Sequence, residues 1–151
     1  MTELASYIAN FKQQNPTYQD QDIAAYAFGG GEVMADELAA LVVAGHKQGT
    51  TSLYQAYEVE NEPLPKVGDV CVILDGKGRP TSVVINTAIE VLPFNDVTAH
   101  HALLESEGDR TLAYWRRAHI DFFTHAYTPE SGIKFTPASL VVFEKFQLLY
   151  K

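Results

Sequence analysis

Lys47 and Thr50 stand three residues apart in Ala44–Leu53 (AGHKQGTTSL), so the spacing offers an ammonium and a hydroxyl close together. A hydroxyl attacks an acyl carbon only after a neighbouring base takes its proton, and an amine serves as that base only if its own pKa is depressed. Spacing alone does not separate this chemistry from a surface lysine beside a strand threonine. His101 and Glu105 lie at i and i+4, compatible with metal ligation. The five histidines form no HExxH pattern and Cys71 is the single cysteine, so no metal is expected. Tyr114, Trp115, His119, Phe122 and Phe123 recur at helical spacing. Such aromatics can stack on bases, but a stripe on one amphipathic helix is first of all core. His119 and His125 read as packed or solvated, and Arg110, Arg116 and Arg117 as a modest basic patch. Cys71, inside VCVIL, reads as a buried, inert thiol. Gly29–Gly31 precede a helix that opens with Glu32, Asp36 and Glu37, acids that would repel phosphate, and no P-loop is present.

The elements that must position these groups follow from periodicity and turn chemistry. Leu4, Ile8 and Phe11 predict a helix over Thr2–Gln14, with Thr2 as N-cap and a stop near Asn15-Pro16. Ala24–Phe28 is short and ambiguous. Glu32–Ala44 reads as a helix with a Leu38, Leu41, Val42 stripe, stopped by Gly45, which leaves Lys47 in the connection to a strand over Thr50–Tyr57. Val70–Leu74 is a continuous apolar strand. Asp75–Pro80 is a hairpin loop, and Thr81–Leu92 a long strand bulged near Asn86. Helices are expected over about Val97–Leu104 and Thr111–Tyr127, and a last strand over Ser139–Tyr150. Helices and strands segregate rather than alternate, which favours an α+β fold.

Composition sets the outer bounds. The chain has 151 residues and 46% hydrophobic content, enough to bury one core without staples. A lone cysteine excludes a disulfide framework and fits a reducing cytoplasm. No apolar run approaches a membrane span, and MTELASYIANFK lacks the pattern of a signal peptide. The net charge of −8 argues against a protein that coats nucleic acid by bulk electrostatics. All of that excess lies in residues 1–75, with 11 acids and 3 bases. Residues 76–151 hold 8 of each. Lys47 is one of only three cations in the acidic half.

MADELAALVVAGHKQGTTSL, EPLPKVGD, VLPFNDVTAHHALLESEGDRTLAYWRRAH and the closing strand, in that order, resemble the ASCH domain family, in its longer bacterial type. The resemblance covers roughly residues 24–151 and leaves 1–23 as an N-terminal helical extension packed on the domain. It implies a PUA-like β-barrel of about five to six mostly antiparallel strands flanked by helices. A cleft for RNA or a nucleoside is expected between barrel and helices. The family's Gly-x-Lys-x-x-Thr motif is present as Gly45, Lys47 and Thr50.

Small bacterial members with this motif include amidohydrolases that remove the acetyl group from N4-acetylcytidine with a Lys, a Thr three residues later and a distant Glu. The resemblance therefore implies Lys47, Thr50 and Glu105 as the catalytic set, with Glu107 competing for the third place. Gly45, Ser52, Glu107 and Arg110 become ligand-binding wall residues. No cofactor is implied, and the partner is a modified nucleoside or RNA rather than DNA or a membrane. Two arrangements are open. In one, a desolvated, neutral Lys47 activates Thr50. In the other, Glu105 accepts the proton and Lys47 stabilises the oxyanion. Each general acid–base part is worth about 10²–10⁴-fold in rate. The alternatives are a non-catalytic RNA-binding regulatory module, with Lys47 and Arg110 on phosphate, and a ribonuclease. A strand binder would draw on Arg79, Arg110, Arg116 and Arg117.

Overall fold

The computed structural model describes every residue, Met1–Lys151. The chain order is α1 (Glu3–Gln14), β1 (Ala24–Ala27), α2 (Glu32–Val43), β2 (Gly49–Leu53), α3 (Tyr54–Glu60), β3 (Val70–Leu74), β4 (Pro80–Pro93), α4 (Ala99–Glu105), α5 (Leu112–His125) and β5 (Leu140–Tyr150). The five strands form one sheet in the order β1-β3-β4-β5-β2, curled into a half-barrel in an α+β fold. Three of its four pairings are antiparallel; β1 joins β3 in parallel. No helix is long and apolar enough to cross a membrane.

The long β4 makes the curl. Its register slips between Val83 and Val84 and again between Asn86 and Ala88. A strand with an extra unpaired residue bends and twists more strongly there. Beyond the second slip, β4 continues along β5 as far as the Pro93–Leu140 pair.

Three apolar clusters fill the layers. Leu38, Ala39 and Val42 of α2 pack on Phe28, Ile73, Val84 and Phe146. Trp115 and Phe123 of α5 pack on Leu53, Phe94, Val97, Ala102 and Val141. Phe11 of α1, fully buried, packs on Val70, Val72 and Val83. Thr2 caps α1 by accepting from the Ala5 N–H at 3.0 Å.

Several boundaries differ from the sequence expectation. The strand expected over Thr50–Tyr57 ends at Leu53, and Tyr54 opens α3, whose YQAYEVE holds a single β-branched residue. Tyr57 then turns back, its phenol 2.7 Å from the Ser52 hydroxyl. The ambiguous Ala24–Phe28 segment supplies the parallel edge strand. α4 starts at Ala99 rather than Val97, because Thr98 accepts from the His101 N–H and caps the helix. Cys71 is half-buried rather than fully buried, and burial pushes its thiol up to about 11, so it remains unreactive.

Candidate active site

The turn after α2 aims Lys47 inward. Gly45 takes a left-handed φ of 81°, and the N–H groups of His46 and Lys47 both donate to the Leu41 carbonyl. The Gln48 N–H donates to the Leu104 carbonyl at 2.7 Å, fixing the start of β2 against α4. Lys47 is thereby only 2% exposed, an unusual state for a lysine without partners.

Its partners come from the end of α4. Glu105 is the last helical residue, Ser106 turns left-handed at φ 59°, and Glu107 follows at once. That turn points both carboxylates at the same ammonium. Lys47 Nζ lies 3.3 Å from Glu105 Oε1 and 3.2 Å from Glu107 Oε2. It also stands 5.0 Å from the centre of the Phe28 ring.

Glu105 collects further donors. Its Oε2 accepts from the Thr51 hydroxyl at 2.7 Å and from Trp115 Nε1 at 2.6 Å. His119 Nδ1 bonds the Trp115 carbonyl at 2.8 Å, which directs Nε2 to Glu105 Oε1 at 3.7 Å. Trp115 and His119 stack with ring centres 4.0 Å apart.

These contacts drive the two carboxylates apart. Burial alone would raise Glu105, but Lys47 and His119 hold it well below the usual carboxylate range. Glu107 is raised by burial and by the neighbouring Glu105 charge, which together outweigh Lys47. Burial would lower His119, yet Glu105 and Glu107 raise it. The site thus combines a fixed anion with a carboxyl that holds its proton more tightly than an ordinary glutamate. Such divergence separates acid–base roles between paired groups.

A cavity of about 250 Å³ opens above this cluster. Lys47, Glu105, Glu107 and His119 line its polar part; Phe28, Met34, Leu38, Ala118 and Phe122 line its apolar part. Thr50 and Thr51 both border it, although they point to opposite faces of β2. This is possible because β2 is an edge strand.

Lys47, Thr50, Glu105 and Glu107 line one cavity. Gly45 shapes the turn and does not line the cavity. Ser52, expected as a wall, is paired with Tyr57, and Arg110 lies outside the lining, its N–H donating to the Glu107 carbonyl at 3.0 Å. Thr51, Trp115 and His119 went unassigned in the sequence. The only signal for the last two was the stripe on α5, which read as core. His101 does not join Glu105. It closes the cap of α4, with Nδ1 accepting from the Thr98 N–H at 3.0 Å and Nε2 lying 3.1 Å from Glu90.

Glu105, Glu107 and His119 present ligand atoms within 4.8 Å of one another, close enough to gather a cation. The Lys47 ammonium already faces both carboxylates and would repel a divalent ion. The donor set therefore fits an internal ammonium better than a metal.

The comparisons with known proteins agree with this architecture. The ASCH domain family model matches residues 24–150. The crystal structure of an ASCH domain from Lactobacillus crispatus superposes with a TM-score of 0.91 at 28% identity, covering 99% of this chain and 95% of that one. A solved protein of Enterococcus faecalis superposes with a TM-score of 0.85 at 31% identity, covering 98% and 93%. No curated protein matches the chain in sequence. With its half-barrel in the PUA-like class and the family pattern running through β1 to β5, the chain belongs to the ASCH domain family.

Proposed function

We propose that this protein hydrolyses a small amide, removing an acyl group from the exocyclic amine of a cytidine-like modified nucleoside. The observation that carries this reading is the Lys47 ammonium held between Glu105 and Glu107 in a cavity that Thr50 also lines.

Lys47 Nζ is ion-paired with two carboxylates, so Lys47 suits oxyanion stabilisation rather than base catalysis. Glu105 is already engaged by Lys47, Thr51 and Trp115 and stays ionised, so it orients the ammonium. Glu107 is the proton carrier. In this reading it takes the Thr50 hydroxyl proton across the cavity that both residues line, as that oxygen bonds to the acyl carbon, and it returns the proton to the departing amine nitrogen as the C–N bond breaks. Water then hydrolyses the acyl-threonine ester and regenerates the hydroxyl. Of the two arrangements open from sequence, the ion pairing favours the one with a charged Lys47, with Glu107 rather than Glu105 as acceptor.

The cavity falls just below the range of about 300–1,000 Å³ that holds drug-sized ligands, so it suits one base-sized ring and a short acyl group. An RNA-binding module with Lys47 and Arg110 on phosphate draws less support. Lys47 is buried and ion-paired, and Arg116 is bonded to the Asn95 carbonyl at 3.2 Å. The chemistry asks for no oxidising compartment, and the half-buried Cys71 thiol suits the cytoplasm.

The test is release of cytidine and acetate from N4-acetylcytidine, followed by chromatography. Wild type turns over. Lys47→Ala and Glu107→Gln each lose about 10²–10⁴-fold. The rate rises with pH through an ionisation above the ordinary carboxylate range, because Glu107 must be ionised to accept the proton. Absence of turnover by wild type on any N-acylated nucleoside overturns the reading.

A further inference from the structure

Phe122 is the exposed large apolar residue of the cavity wall, 37% accessible on α5. Its ring lies directly on the backbone of Gly29: a Cβ placed there would come within 2.5 Å of the ring. Across the same loop, a Cβ on Gly30 would meet the Met34 side chain at 3.0 Å. Gly29 and Gly30 therefore run between two rim side chains, and the lack of Cβ atoms lets both approach. Ala118, one turn before Phe122 on the same helix face, also borders the cavity. Its small side chain leaves room beside the ring. The buried Trp115 and Phe123 carry the core packing of α5, and Phe122, edge-on to Phe123 with ring centres 5.7 Å apart, stands at its outer margin.

From this geometry we infer that the Phe122 ring, seated on the Gly29 backbone, is a stacking platform that selects substrates carrying a planar aromatic ring. Phe122 is then a specificity-determining residue. The inference deepens the amide-hydrolase reading, on which it rests, by naming the residue that selects the flat-ring amides that reading already implies. A substrate of that class has an apolar, polarisable ring for the rim and a polar acyl end for Lys47 and Thr50. That is the polarity in which the cavity is built. Ring stacking on an aromatic side chain is tolerant of the ring's substituents, so selection acts on flatness rather than on a particular base.

The test compares acetanilide with N-cyclohexylacetamide, which share the amide and differ in a flat or puckered ring. Binding to the full chain is measured by calorimetry, which needs no turnover. Wild type prefers acetanilide. Phe122→Ala weakens acetanilide about tenfold and N-cyclohexylacetamide less than about twofold, and Phe122→Trp restores the preference. Gly29→Ala keeps Phe122 but pushes its ring aside, and reproduces the selective loss. Equal weakening of both ligands, no preference in wild type, or binding of neither overturns the platform. Flat-ring selectivity without cleavage of any amide overturns the hydrolase reading and leaves the platform standing. Cleavage without that selectivity does the reverse.

Discussion

Lys47 Nζ lies 3.3 Å from Glu105 Oε1, both side chains 1% exposed, although 58 residues separate them in the chain. Each residue carries a buried charge that the other offsets. Breaking a buried pair from one side costs about 3–5 kcal/mol, because the remaining charge is stranded.

Lys47→Met is accordingly expected to lower the unfolding free energy by about that amount. Adding Glu105→Gln to it recovers part of the loss, since Glu107, less deeply buried, is then the only carboxylate left facing the vacated ammonium position. Urea unfolding of the four members of this cycle reads the coupling. Additive losses would show that the two groups do not depend on each other.

The same carboxylate shapes the acid limb of stability. The folded-state pKa of Glu105 is depressed below its ordinary 4.5, so its contribution is full above that value and drains away as pH falls. His119 has the opposite sign: its pKa is raised above 6.5, so its contribution is full below 6.5 and is lost as pH rises through the folded value. Glu105→Gln should flatten the acid limb, and His119→Gln the decline on the neutral side. Urea midpoints measured across the pH range would show each effect, and unchanged slopes would refute the assignment.

The two threonines of β2 separate by role. Thr50→Ala should remove turnover by about 10²-fold or more while leaving stability nearly unchanged. Thr51→Val strips a hydrogen bond from buried Glu105 and should cost about 1–3 kcal/mol of stability. Thermal melts beside initial rates distinguish them. A Thr50→Ala variant with full activity would exclude that hydroxyl as nucleophile.

Phe11 reports whether α1 belongs to the folding unit. Fully buried against β3 and β4, it should cost about 3–5 kcal/mol when replaced by Ala. A loss well below that range, measured by urea unfolding, would mark α1 as a loosely held extension.

Much of this molecule is legible in its sequence because local rules act there. The Thr2 cap, the stop at Gly45 and the β4 bulge next to Asn86 each follow from a few adjacent residues. The acidic first half singled out Lys47, and the family pattern joined it to Thr50 and Glu105. What stayed hidden depends on pairings between distant segments. Nothing near Ala24 announces a parallel partner at Cys71. Thr51 and His119 acquire their contacts only because α4 and α5 cross the edge of the sheet at β2. The strand expected over Thr50–Tyr57 stops at Leu53 because Tyr serves strands and helices alike; the helical turn after it is set by packing, including the Tyr57–Ser52 contact.

The place of β2 at the rim of the sheet also bears on self-association. An edge strand carries backbone donors and acceptors that can recruit a strand from another molecule. Here the approach is blocked at its start, where the Gln48 N–H is already given to Leu104 of α4. The helix that delivers Glu105 to Lys47 is therefore also the guard of that edge. Damage to α4 would do more than disarm the cavity: it would bare a template for intermolecular strand pairing, so loss of chemistry and onset of aggregation should travel together.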